Sequence, residues 1–238
     1  MKPSPRKAAS PPARPATPVR STRAHGQATR QHLLDVAGQV FGECGFAEGT
    51  TKAIAARAGT PMASINYHFG SRDALYEAVL VEAHAQIVGL AQLQALMQQS
   101  DDPRESLRAL LTHVAGLAAL KNPPWGFRVL LREIMSPSAM LPALVKKALL
   151  PKAQLVLALI GRILGLPPSH PTVQRSVMFC ILPGLVMLSA PRQVIGKVLP
   201  AAIEDPQMLA EELCRYVLAG LDAIAAAHAP AKKKTGKS

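Results

Sequence analysis

An all-α fold follows from three observations. Hydrophobic residues make up 49% of the 238-residue chain but aromatics only 4%. Alanine and leucine therefore carry the packing, a bias toward helix over sheet. Apolar residues recur at helical spacing over most of the length, no period-2 alternation marks a strand, and prolines punctuate the helical runs at 123, 124, 137, 167, 168, 171, 191 and 206.

The elements follow in order. Residues 1–28 are rich in Pro, Ala, Ser and Arg and bury too little apolar surface to order themselves; they are expected to be a disordered basic tail. From Thr29, Leu33, Leu34, Ala37, Val40 and Phe41 share one helical face, with Thr29 placed as N-cap and Gly45 as the stop. Thr50 caps a second helix with Ile54, Ala55 and Ala58 inward, ending at Gly59. A third short helix, "MASINYHF", buries Ile65 and Phe69. Ser71 then caps a fourth, expected to run from 71 to about 98. Further helical patterns cover roughly 104–120, 125–135, 139–165, 171–190 and 206–227. The twelve-residue run "VMFCILPGLVML" at 177–188 is too short for a bilayer span and, with Pro183 inside it, reads as a buried, kinked helix.

Charge is concentrated at the ends. Residues 1–30 carry Lys2, Arg6, Lys7, Arg14, Arg20, Arg23 and Arg30 with no acid, and Lys232, Lys233, Lys234 and Lys237 follow near the C-terminus. Those two segments hold 11 of the net +12 charges. Basic tails on a nearly neutral globule suit a polyanionic partner such as DNA, the alternative being a role in solubility. No apolar core follows the basic N-terminus, so it is not a secretory signal. Cys44, Cys180 and Cys214 are widely spaced and odd in number, which excludes a disulfide framework or a metal cluster and points to a reducing cytoplasm.

Two short helices joined by a tight turn and braced by a longer one form a helix-turn-helix, the first supporting and the second entering the major groove. The stretch "TTKAIAARAG…INYHFGSRDALY", preceded by "LLDVAGQVFGECGF", resembles the N-terminal domain of TetR-family transcriptional regulators over residues 29 to about 82. "LREIMSPS…GRILGLPPSHP" and the helices after it are similar to the C-terminal domain of the CecR-like subgroup, over about 125–225. The resemblance implies a DNA-binding domain at 29–75, a helical effector-binding and dimerisation domain at 76–228, and a basic tail at 229–238. It implies a homodimer on double-stranded operator DNA, repression that answers to a small-molecule effector, and no membrane partner.

By position, the resemblance places Thr51 and Lys52 where the supporting helix touches DNA. Met62, Ala63 and Ser64 fall at the base-facing start of the recognition helix, Asn66, Tyr67 and His68 at its end, and Arg72 at a phosphate. The chemistry agrees: Lys52 and Arg72 offer charge-assisted donors, Ser64 and Asn66 hydrogen bonds. Two departures stand out. Thr60 and Pro61 replace an apolar residue and a Ser or Thr cap, so Thr60 is expected to cap with Pro61 at N1, starting the helix one residue early. Residues 31–84 also hold three basic side chains against six acids, a deficit the tail is expected to offset.

In the second domain, helices at about 172–188 and 208–226 are the candidate dimer interface, with Leu209, Leu213, Tyr216, Val217, Gly220 and Ile224 along one stripe; the other reading is that this stripe packs within its own chain. Trp125, Arg128, Arg132, Met178, Phe179 and Met187 are the candidate ligand-binding set, an arginine-and-aromatic chemistry suited to an amphipathic or anionic ligand. No paired carboxylates, nucleophile–base set, Gly-rich phosphate loop or metal cluster is legible, so neither an enzyme nor a cofactor is expected. The alternative function is a tail-driven nucleic-acid binder without sequence preference.

Overall fold

The computed structural model describes residues 19–189 and 192–229, and among these every regular element is helical. The basic segments 1–18 and 232–238 lie outside the described residues, as do the charges placed there.

Helix α1 (Val19–Glu48) starts ten residues ahead of the expected cap. Thr29 is not a cap: its Oγ1 donates back to the His25 carbonyl, 3.0 Å away, as a residue inside a helix does. Residues 19–28 therefore extend the first helix and are not a disordered tail. Gly45 does break the helical path, at φ 80°, ψ 175°, a conformation essentially reserved to glycine.

The short pair is α2 (Thr51–Ala58) and α3 (Met62–Phe69), followed by α4 (Arg72–Ile87). Thr50 Oγ1 accepts from Ala53 N at 3.1 Å and Ser71 Oγ from Ala74 N at 3.0 Å, so both predicted caps form. The helix expected at 71–98 is interrupted: Val88 and Gly89 are extended, and α5 (Leu90–Gln98) begins anew. The β-branched pair Ile87–Val88 followed by glycine is a weak helical stretch. His113 Nε2 lies 2.9 Å from the Ile87 carbonyl, satisfying an oxygen that the break releases.

Helices α6 (Pro103–Ala119) and α7 (Trp125–Met135) fall where expected. The 139–165 pattern resolves into α8 (Leu141–Leu144), a π-helical turn at Val145–Leu149, and α9 (Leu150–Leu164). Pro151 has no N–H for the Lys147 carbonyl, and Leu150 N reaches back five residues to the Val145 carbonyl instead. Helix α10 (Pro171–Ser189) contains Pro183. Beside it a Cβ on Gly184 would lie 2.7 Å from a Val114 methyl, so α10 approaches α6 closely one residue after the proline. Two short helices not anticipated, α11 (Arg192–Val198) and α12 (Ala201–Glu204), lead into α13 (Pro206–His228).

Two apolar cores result. The first joins Leu33, Ala37, Phe41, Ile54, Ile65 and Leu75 to Val129 and Leu130 of α7 and to Leu144 and Ala148. The core of the helix-turn-helix is thus continuous with the domain behind it. Contact there is close enough to demand glycine: a Cβ on Gly38 would meet the Trp125 ring at 2.4 Å, and one on Gly126 the Ala83 backbone at 2.6 Å. The second core gathers α5, α6, α9, α10 and α13 around Leu107, Leu111, Ile160, Val173, Leu213 and Val217.

Polar groups pin these layers. Buried Glu133 on α7 accepts the Tyr76 hydroxyl of α4 at 2.9 Å and, on its other oxygen, Ser138 N at 3.0 Å and Ser138 Oγ at 2.9 Å. Burial, with this carboxylate second, raises the Tyr76 phenol above the ordinary tyrosine range. Lys152 of α9, also buried, places Nζ 2.6 Å from His84 Nδ1 on α4. Burial and then the ammonium push the His84 imidazole down to about 4, and burial pushes Lys152 down to about 8. His84 is therefore neutral at pH 7 and accepts from the lysine. Helical stretches 72–98 and 171–188 have the length and mean hydropathy of a bilayer span; the first is interrupted at Val88–Gly89, and each contributes side chains to the cores.

Candidate nucleic-acid interface

The sequence between α2 and α3 dictates a sharp turn. Gly59 adopts the left-handed conformation (φ 63°, ψ 30°) and its N–H caps the end of α2, while Thr60 N donates to the Ala55 carbonyl at 3.0 Å. Helix α3 starts at Met62 with Pro61 as its N-cap and no side-chain capping bond. The expected early start from Thr60 does not occur. The Thr60 hydroxyl is buried and has no hydrogen-bond partner, because closing α2 turns the residue inward before α3 begins.

On α3, residues four apart lie nearly above one another. Ile65 is buried and Phe69 half-buried against the first core, which fixes the helix's rotation. That rotation presents Met62, Ala63, Asn66 and Tyr67 to solvent, with Tyr67 84% exposed, while Ser64 and His68 are half-buried flanks. The Tyr67 and His68 rings meet edge to face at 4.9 Å. At the start of α2, Lys52 is exposed and Thr51 half-buried. Four of the nine candidate DNA-contact residues thus face outward on α3, with Ser64 and His68 on its flanks and Thr51 and Lys52 in the first turn of α2.

Arg72 is placed otherwise. Its Nε donates to the Gly49 carbonyl at 2.9 Å, its Nη2 to the Phe46 and Ala47 carbonyls, and the guanidinium lies 4.1 Å over the Phe46 ring. The α1–α2 connection leaves carbonyls without helical partners, and Arg72 binds them; the expectation of a phosphate-gripping side chain is replaced by a staple. Arg57 is engaged as well, in an exposed ion pair at the surface. It forms two bonds to Glu43, at 2.6 and 2.9 Å, and one to Gln39, and these bonds hold the Glu43 carboxyl below its usual range. Among the described side chains near α3, Lys52 and Arg30 are left for a polyanion, the Arg30 guanidinium lying 4.8 Å over the Phe69 ring at the end of the recognition helix. Arg30 was legible only as part of the tail charge; its acid-free surroundings were the signal for a local role.

The ligand-binding candidates are not brought together. Met178 and Phe179 are 56% and 59% exposed on α10. Met187 lines a cavity of only about 60 Å³ with Ile195, Ile203 and Leu209, a volume suited to a water or two. Trp125 packs on α1, and Arg128 is exposed alongside it. Arg132 donates to the Gly42 carbonyl at 3.0 Å and the Glu43 carbonyl at 2.6 Å, tying α7 to α1. These side chains follow three different helix faces, so the arginine-and-methionine pocket expected in the second domain does not form. The stripe on α13 also divides: Leu213 and Val217 are buried in their own chain, whereas Tyr216 is 74% exposed. Burial pushes the Cys180 thiol up to about 12, leaving it without thiolate character at neutral pH.

Comparison with known proteins agrees with this architecture. The family model "Bacterial regulatory proteins, tetR family" matches residues 33–79, and "HTH-type transcriptional dual regulator CecR, C-terminal domain" matches 103–226. The HTH-type transcriptional regulator AcrR of Shigella flexneri is 33% identical over 96 residues, 40% of this chain and 44% of that protein. The chain thus spans about half the length of the curated relatives it matches. Among solved structures, a TetR-like transcriptional regulator from Rhodococcus sp. RHA1 superposes with TM-score 0.57 at 22% identity, over 82% of this chain and 96% of that one. The regulator FadR from Bacillus subtilis, solved in complex with stearoyl-CoA, gives 0.58 at 16%, over 80% and 98%. With helix-turn-helix and C-terminal domain both matched in register, the chain belongs to the TetR family of bacterial regulatory proteins, with a C-terminal domain of the CecR type.

Proposed function

We propose that this protein is a sequence-specific DNA-binding transcriptional regulator that acts as a homodimer and answers to a small-molecule effector. One observation carries the reading. A two-turn helix, locked in rotation by Ile65 and Phe69, offers Met62, Ala63, Asn66 and Tyr67 to solvent. Residues 29–75 serve as the reading head and 76–228 as the effector and dimerisation body. Thr51, Lys52, Ser64 and His68 border the contact. The dimer forms through α10 and α13, which leave Met178, Phe179, Leu182 and Tyr216 exposed, an apolar surface of the kind that marks an interface. Repression released by the effector, in the cytoplasm, is the mode this family membership favours.

Selection of bound duplexes from a random DNA pool, with full-length protein at near-physiological salt, tests the proposal. An enriched palindrome with two half-sites is expected. A pool that is retained yet unenriched refutes sequence-specific reading. It would favour the second reading, a tail-driven polyanion grip, which draws its support from Arg57 and Arg72 being engaged by groups of their own domain.

A further inference from the structure

Between the end of α1 and the end of α7 lies a cleft of about 340 Å³, within the size range of small-molecule sites. One wall is the kinked end of α1 with Phe46; the other is Arg132, Met135 and Ser136, with Tyr76 between them. Its chemistry is set by a cation held in place. Arg132 is oriented by its bonds to the Gly42 and Glu43 carbonyls through Nε and Nη2. Its Nη1, with two N–H groups, has no acceptor among the described residues. Nη1 lies beside Gly45, 3.6 Å from where a Cβ would stand. The neighbouring carboxylate, Glu133, is engaged by Tyr76 and Ser138 and makes no ion pair with Arg132. Apolar surface comes from Met135, which is 77% exposed, and from what the Phe46 ring leaves open beside the Arg72 guanidinium at 4.1 Å and the Tyr76 ring at 4.5 Å. At the mouth, the exposed Ser136 supplies a hydroxyl.

We propose that this cleft binds a small organic monocarboxylate with an apolar body. The carboxylate sits on Nη1 of Arg132 and the hydroxyl of Ser136, and the body lies against Phe46 and Met135. A fixed guanidinium with a spare pair of donors matches a carboxylate better than a neutral polar group. The walls belong to the reading head and to α7 behind it, so the ligand binds one spacing of the two better than another and shifts the population toward it. That consequence rests on the DNA-reading proposal; binding itself does not.

Calorimetry on the full-length protein without DNA tests the site, with benzoate, 3-phenylpropionate and octanoate as probes and 3-phenylpropionamide as the neutral control. One site per chain is expected for at least one carboxylate, with the amide about tenfold weaker or more. Arg132→Gln should weaken binding by about tenfold as well. Because Arg132 also holds α1, Ser136→Trp provides a second variant: it closes the mouth from an exposed position, leaves the clamp intact, and should abolish binding while the thermal midpoint is preserved. No heat from any carboxylate at about 5 mM, equal affinity for the amide, or binding that survives Ser136→Trp overturns the site, whatever the duplex selection yields. On a selected duplex, an anisotropy titration that changes with the bound carboxylate supports the coupling. Carboxylate binding with unaltered DNA affinity overturns the coupling alone.

Discussion

Replacing Tyr76 by phenylalanine removes one oxygen from the junction of α4 and α7. The ring is held by its neighbours, edge-on to Phe41 at 4.8 Å and tilted on Phe46 at 4.5 Å, so packing is retained and no cavity of consequence opens. What is lost is the hydrogen bond from the hydroxyl to Glu133 Oε2, 2.9 Å long. Its acceptor is 1% exposed and would be left buried with one partner fewer. Hydrogen bonds to a charged partner contribute about 1.5–3 kcal/mol. Because Ser138 still serves the other oxygen, we expect a loss of about 2 kcal/mol, a roughly 30-fold fall in the folding constant. For a chain of this size that corresponds to a thermal midpoint lower by about 4–8 °C, compared at one protein concentration because dimerisation shifts the midpoint. Urea unfolding at pH 7, followed by circular dichroism, measures it. Glu133→Gln and the double variant complete a cycle whose coupling should reach about 1–2 kcal/mol. A loss below about 0.5 kcal/mol, or coupling near zero, refutes the view that this pair ties α4 to α7.

Other substitutions test the remaining joints. Gly45→Ala should destabilise by about 1–3 kcal/mol in the same urea assay, since alanine is strained at φ 80°, ψ 175°. Arg72→Ala should lower stability by about 1–3 kcal/mol while leaving the salt dependence of DNA binding unchanged. Lys52→Ala should weaken binding to all sequences and reduce the salt slope by about one, whereas exchanging Met62 or Ser64 should change which sequence is preferred. His84, with its native pKa lowered to about 4, refuses a proton that the unfolded chain accepts near 6.5. Stability is therefore full above that pH and falls as pH drops from about 6.5 toward 4, by roughly 3 kcal/mol at most. His84→Gln should flatten the wild-type curve over that window alone, and superimposable curves would refute the assignment.

The local grammar of the helices was legible because it depends on neighbours a few residues away. The caps at Thr50 and Ser71, the inward set Ile54, Ala55, Ala58 and Ile65, and the bounds of α7 follow from spacing and capping chemistry. The outward face of α3 follows in turn, since burying Ile65 and Phe69 leaves only one rotation. Thr60 and the interruption at Val88–Gly89 were misread for a related reason. In each, a local preference competes with a turn whose direction is set by packing on another helix. What the tertiary structure alone decided was the destination of the long basic side chains. Arg57 reaches a partner 14 residues away, Arg72 one 23 away and Arg132 one 90 away. A guanidinium on a flexible stem has no periodicity to betray its direction. It goes where helix ends leave carbonyls or carboxylates unsatisfied, and those ends meet it only once α1, α4 and α7 have packed.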